Sequence, residues 1–327
     1  MKNMTTLTNQ TGWKAHIISY FKVQAIPLTV LLLMIVVASI LSPVFFSKIN
    51  FENLVVQVAH TIVVSMGMFI CILTGGIDLS VGSAIALSGV LAAGFMRTMP
   101  VGIALLLSTL VCTMVGVLTG VIISYLRIAP FVVTLGMQSF ISGVAYWYSN
   151  SSPISWRNLA GAEIISTIGS GKILGIPVLA IIWIVIMLIT MFLMNKTLIG
   201  RFMYGIGGNE IALNLSGINI KKWLIFPYAF SGFCCGLGGI LLMSRLGVGS
   251  PSSGSGLELD CIAAVVIGGT SFSGGKGIVS GVLIGAFILG IINNILDLLN
   301  VPAYPQLMLK GTIIILAVIL STIREKK

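Results

Sequence analysis

The chain has 327 residues, of which 57% are hydrophobic and 8% charged, with a formal net charge of +10; an ordinary soluble domain is about 25% charged. A mean hydropathy of +1.11 makes lipid the solvent for much of the surface, which excludes a soluble enzyme, a nucleic-acid-binding domain and a disordered chain. The apolar stretches are long runs, not alternating segments of about ten residues, which argues against an outer-membrane barrel.

Residues 1–24 are polar, carry Lys2, Lys14 and Lys22, and read as a cytoplasmic N-terminal segment. The apolar run behind them leads to Pro43 and not to a small-x-small cleavage site, so it is expected to be a retained span. A crossing helix needs about 20 residues. Spans are predicted at 25–42, 54–74, 78–96, 101–124, 130–148, 176–194, 223–245, 257–273, 277–297 and 305–323. The expected fold is therefore an all-α polytopic membrane protein of about ten transmembrane helices, with one membrane domain at 25–323 and a cytoplasmic tail at 324–327. With the N-terminus inside, only Lys48, Arg97, Arg157 and Lys172 fall outside; Arg245 and Lys310 lie at or within span ends, and the other basic residues fall inside. That asymmetry follows the positive-inside rule and puts both termini in the cytoplasm. The longer loops are 149–175 outside and 195–222 inside. Cys71, Cys112, Cys234, Cys235 and Cys261 sit within apolar runs without CxxC spacing and read as small buried hydrophobes.

The two halves resemble each other. Gly76-Ile77-Asp78-Leu79 and Gly256-Leu257-Glu258-Leu259 open stretches that align at constant offset, with identities at Gly76/Gly256, Leu79/Leu259, Ala84/Ala264 and Gly89/Gly269. Downstream, Gly120…Pro130 echoes Gly290…Pro302. These matches pair the third span with the eighth and the fourth with the ninth. A shift of five spans reverses direction, so an inverted internal repeat is expected, a common transporter plan. A rival alignment sets Gly75-Gly76-x-x-x-Ser80-x-Gly82 on Gly268-Gly269-x-x-x-Ser273-x-Gly275. It extends less well, and Gly- and Ala-rich composition alone is the competing explanation of both. The series Ser80, Ala84, Ser88, Ala92 and Gly277, Gly281, Gly285 are faces on which helix backbones can approach closely in lipid.

Chemistry-bearing residues are sparse. His16 and His60 are the only histidines, and no HExxH, GxSxG or paired Cys/His set occurs, so no metal or cofactor is expected. Gly275-Lys276 and Gly171-Lys172 each fail the phosphate-loop pattern twice, at its first Gly and at its final Ser/Thr. Any work done by ATP must therefore enter from another polypeptide. Asp78, Glu258 and Asp260 lie at span ends, where a carboxylate is costly and a candidate for function. For Asp78 and Glu258, capping of the helix start competes with contact to substrate. Ser80, Ser83, Asn293 and Asn294 are further pathway candidates, with helix–helix hydrogen bonding as the alternative for the two asparagines. In the inner loop, Gly207-Gly208-Asn209 precedes Glu210-Ile-Ala-Leu-Asn-Leu-Ser216-Gly217. Asn209 suits an N-cap, Glu210 a first turn and Gly217 a helix stop, which predicts a short helix at 209–217. It is either a connector or a docking element.

Three runs now stand together: LTGGIDLSVGSAIALSG at 73–89, IGGNEIALNLSGINIKK at 206–222 and GLELDCIAAVVIGGTSFSGGKG at 256–277. They resemble the permease subunits of bacterial monosaccharide ABC importers, the ribose type above all, over about residues 25–325. The resemblance implies an inner-membrane subunit with no nucleotide site of its own. Its implied partners are a cytoplasmic ABC ATPase, a periplasmic or extracellular sugar-binding protein and a second permease copy or paralogue, in membrane lipid and without nucleic acid. Glu210…Ala212…Gly217 is similar to the Glu-Ala-Ala…Gly coupling helix of ABC importers and departs from it at Ile211. Gly208, Asn209, Glu210, Ala212, Ser216 and Gly217 are accordingly the expected ATPase-coupling residues. The sugar stays open among ribose, other pentoses, hexoses and a furanosyl signalling molecule. An ion-coupled secondary transporter is the leading alternative, followed by a passive channel and a membrane-embedded enzyme.

Overall fold

The computed structural model describes residues 13–325; residues 1–12, with Lys2, and the tail residues Lys326 and Lys327 lie outside the described residues. The helices are α1 (Trp13–Leu41), α2 (Lys48–Gln57), α3 (Ala59–Leu73), α4 (Val81–Phe95), α5 (Val101–Leu126), α6 (Pro130–Tyr148), α7 (Ala162–Ser170), α8 (Val178–Lys196), α9 (Leu198–Leu215), α10 (Ile220–Trp223), α11 (Ile225–Leu246), α12 (Leu257–Ile267), α13 (Val279–Leu298) and α14 (Ala303–Glu325). Two antiparallel pairs of two-residue strands complete the described structure, Ile154–Ser155 against Val248–Gly249 and Lys172–Ile173 against Ile176–Pro177. Length and hydropathy suit Gln24–Leu41, Lys48–Leu73, Val101–Leu126, Val178–Lys196, Ile220–Leu246 and Val279–Leu298 for membrane crossing, with Val81–Phe95 a shorter apolar helix. The chain is an all-α, multi-pass membrane protein.

A helix occupies each predicted span, but three spans are broken or shortened. α2 ends at Gln57 and α3 starts at Ala59, with Val58 capping α2. The span predicted from 78 becomes regular only at Val81. The span predicted over 257–273 is helical for 11 residues and ends at Ile267. Gly269 takes φ 90°, a left-handed conformation that glycine adopts without the Cβ penalty, and Thr270 N turns back to the Val265 carbonyl at 3.2 Å.

α3 is buried along almost its whole length and forms the centre of the largest apolar cluster. α11 packs on α3, α4 and α5, while α12 packs on α3 and α13. Within lipid, such packing depends on shape and polar contacts, because a hydrocarbon tail is as apolar as a leucine. Glycines supply the shape. A Cβ on Gly116 of α5 would strike the Tyr228 carbonyl of α11, and one on Gly232 would strike the Cys112 carbonyl. The α4–α11 crossing is tied by Ser88, whose hydroxyl donates to the Gly236 carbonyl at 2.6 Å. Exposed leucine, isoleucine and phenylalanine side chains on α1, α5, α6 and α8 make the apolar outer belt that faces lipid or another chain.

Candidate translocation elements and docking face

α4 and α12 are both short, and both follow irregular chain. Before α4, Asp78 is 4% exposed. Its Oδ1 accepts from Ser80 N at 3.0 Å and Ser80 Oγ at 2.6 Å, and its Oδ2 accepts from Ser231 Oγ of α11 at 2.7 Å. The carboxylate thus satisfies the opening of α4 and ties it to α11. Ser83 Oγ donates to the Ser80 carbonyl at 2.9 Å within the same first turn.

Glu258 lies in the first turn of α12. Its Oε2 is buried and has no hydrogen-bond partner among the described residues. A Cβ on Gly82, in the first turn of α4, would strike that oxygen and the Gly254 carbonyl. The start of α4 therefore touches the acid at the start of α12, and the partial positive ends of both helices face a carboxylate. Asp260, two residues on, pairs with Lys310 of α14 at 2.9 Å.

The structure thus gathers Asp78, Ser80, Ser83 and Glu258 around the start of α4, with Asp260 in α12 paired to α14. Asn294 is elsewhere, between α13 and α2. It exchanges two amide hydrogen bonds with Asn50, at 3.0 and 2.8 Å, and Asn50 also donates to the Phe45 carbonyl at 2.9 Å. Asn293 beside it is half-buried. Three partners were not singled out from sequence: Ser231, Asn50 and Lys310 as the mate of Asp260. Only the lysine carried a signal, since an ionisable residue inside a span demands a partner.

At the other candidate site, α9 runs through Gly207 and Gly208 and breaks at Asn209 (φ −160°, ψ 94°). The predicted short helix is therefore the second half of a longer one, not a separate element. Asn209 Oδ1 caps this half by accepting from Ala212 N at 2.9 Å. Ser216 Oγ donates to the Ala212 carbonyl at 3.0 Å, and Gly217 turns the chain at φ 82°. Glu210 pairs with Arg127, which ends α5. Gly208 has open space where a Cβ would stand. Ile211 and Leu215, four residues apart and so on one helix face, are 74% and 82% exposed. A polar cleft of about 500 Å³ lies alongside, lined by Arg127, Asn214, Gly217, Asn219 and Lys221 among others. From the sequence, Ile211 stands out only as a departure from a pattern and Leu215 not at all; in the structure the two share one exposed face.

A helical membrane protein with broken helices in its core and a capped, apolar-tipped helix on one end has the parts of a transport subunit. Residues 50–318 match the family described as the permease component of branched-chain amino acid transport systems, and the chain belongs to that family. The ribose import permease of Haemophilus influenzae is 39% identical over 88% of this chain and 90% of its own length. The ribose import permease of Escherichia coli K12 is 40% identical over 91% of this chain and 93% of its own. The D-allose transport system permease of Escherichia coli K12 is 35% identical over 91% of each. No solved structure matches. The chain is a sugar permease of ABC-importer type and is similar to the ribose import permeases. It is a transport component of the inner membrane and not an enzyme.

Proposed function

We propose that this chain carries a monosaccharide, ribose in the first instance, across the inner membrane, and that a separate cytoplasmic ATPase drives it by docking on 209–217. One observation carries the proposal: the exposed Ile211–Leu215 face on a helix capped by Asn209 and braced by the Glu210–Arg127 pair. A face of two large apolar side chains ringed by polar groups has the anatomy of an interface centre. The sequence has no phosphate loop of its own, so the work must arrive through such a contact. Two ribose permeases at 39–40% identity, against a D-allose permease at 35%, favour ribose among the sugars. A sugar-binding protein delivers it on the outer side, and a second permease copy or paralogue completes the channel.

Ten spans, cytoplasmic termini and an inverted repeat belong to the same reading. Exchanging α3, α4, α5 and α6 for α11, α12, α13 and α14 maps several packing contacts onto others. α4 packs on α11 as α12 packs on α3, α4 on α5 as α12 on α13, and α4 on α6 as α12 on α14. In this reading Asp78, Ser80, Ser83 and Glu258 border the route, Asp260 holds α14 beside it, and Asn294 braces the bundle.

The test is uptake of labelled ribose by proteoliposomes holding the permease, its ATPase and its binding protein. Uptake should require ATP and survive collapse of ion gradients. Uptake that follows an ion gradient without ATP would make the chain a secondary transporter.

A further inference from the structure

Three stretches of backbone meet beneath the docking helix with almost no side chain between them. They are the end of α3 at 73–75, the α9 segment at 207–208 just before the Asn209 break, and the α12–α13 loop at 274–275. Gly275 N donates to the Leu73 carbonyl at 2.8 Å. This satisfies one of the carbonyls that the C-terminus of a helix leaves without an internal partner. A Cβ on Gly207 would strike the same Leu73 carbonyl and Gly275 N; one on Gly275 would come within 2.8 Å of Gly208 Cα and N; one on Gly274 would come within 3.0 Å of Gly75 N and the Leu73 carbonyl. One turn back along α9, Tyr204 Oη donates to the Gly277 carbonyl at 2.8 Å.

The docking half of α9 is joined to this junction. Leu213 folds back so that its methyl groups stand 3.2 Å from where a Cβ on Gly205 would be. A push on 210–215 therefore reaches 204–208 through packed atoms as well as through the chain. From there it meets backbone. A side-chain contact can yield by changing rotamer, whereas a backbone contact moves as a body. The elements it would move are α3, which packs on both α11 and α12, and the loop that ends α12.

We propose that Gly207 and Tyr204 are positioning residues that pass the ATPase stroke from the docking segment to α3 and the α12–α13 loop by direct backbone contact. The proposal rests on the reading of 209–217 as the ATPase docking site. Sequence reading placed Gly207 only at the lead-in to the short helix; here its lack of a side chain permits the contact that gives the helix a mechanical output.

The experiment uses the complete importer in proteoliposomes, with permease variants Gly207→Ala and Tyr204→Phe. Gly102→Ala, at a helix glycine with open space around it, is the control. Three quantities are read: ATPase subunit retained on purification, ATP hydrolysed with sugar-loaded binding protein, and sugar moved per ATP. Gly207→Ala should retain the ATPase and hydrolyse ATP, yet move about tenfold less sugar per ATP, a change within the usual range of coupling between sites. Tyr204→Phe should lower the same ratio by about threefold, and Gly102→Ala should leave it unchanged. A normal ratio in Gly207→Ala and Tyr204→Phe overturns the proposal. If Gly207→Ala does not insert, Tyr204→Phe decides alone. Loss of the ATPase subunit is not expected from either variant; it is the expected result of charging Ile211 or Leu215. Intact complexes after that change would sink the docking reading instead.

Discussion

The Asn50–Asn294 exchange is a reciprocal pair of amide hydrogen bonds between α2 and α13. Each amide gives and receives one bond, and Asn50 spends its other N–H on Phe45. Interhelical hydrogen bonds of this kind average about 0.6 kcal/mol and reach about 1.7 in membrane proteins. Breaking one side costs more, because the remaining amide stays buried without a partner, about 1–3 kcal/mol. Asn294→Leu should therefore lower the thermal midpoint of the purified permease. Asn50→Leu/Asn294→Leu should recover much of the loss, and additive losses would show that the two amides do not act as a pair. The Asp260–Lys310 ion pair obeys the same asymmetry with a larger stake. Removing one charge leaves the other buried, and cases of this sort cost about 3–5 kcal/mol. Lys310→Met should reduce the amount of folded permease in the membrane, and Lys310→Met/Asp260→Asn should restore it. Fluorescence-detected gel filtration of the three variants reads the order.

At the scale of elements, the apolar runs were legible and their interruptions were not. Hydropathy continues from Leu257 through Phe272 and predicts an eighth span that runs six residues past Ile267, where the helix stops. The stop comes at Gly268, where a Cβ would strike the Gly281 carbonyl of α13, and at Gly269, which takes a positive φ; the α13 contact is not visible in the local sequence. The opposite error occurs in α9. Gly207-Gly208 looks like the end of a loop, yet helix continues through both, because Met203 and Ile206 before them are buried in the core. The caps were legible, since Asn209 and Gly217 act within a few residues of themselves. The pairings were not, since Asp78 with Ser231 and Asn50 with Asn294 join residues far apart in the chain. The Glu210–Arg127 pair is half-exposed and by itself contributes at most about 1 kcal/mol. Its expected role is to set the angle of the docking segment. Glu210→Lys should leave insertion normal and weaken ATPase retention, and Glu210→Lys/Arg127→Glu should regain part of it. Gly217→Val should act likewise, forcing a β-branched residue into φ 82° at a local cost of about 1–3 kcal/mol. Wild-type retention and transport in both single variants would remove the loop from the coupling step.

At the scale of the whole molecule, sidedness decides whether the parts can work together. The 209–217 segment proposed to dock the ATPase, the Arg127 end of α5, the end of α3 and the α12–α13 loop all meet at one end of the bundle. The Ile154–Ser155 and Val248–Gly249 strands pair where the 149–175 loop meets the exit of α11. A rigid helical bundle fixes these two groups on opposite faces only if the chain crosses an odd number of times between Ser152 and Asn219. α8 is the one helix between them that is long and apolar enough to cross, whereas α7 has nine residues and α9 is broken at Asn209. The basic residues predict the orientation: Arg127, Lys196, Arg201, Lys221 and Lys222 lie in or beside the segments that join α5 to α6 and α8 to α11, which the positive-inside rule would assign to the cytoplasm. Reporters fused after Ser152 should therefore be active on the periplasmic side, and reporters fused after Asn219 on the cytoplasmic side. Both on one side would mean that α8 does not cross. The reverse assignment would put the docking helix beyond the reach of any cytoplasmic ATPase, and the energy source would have to be sought on another surface.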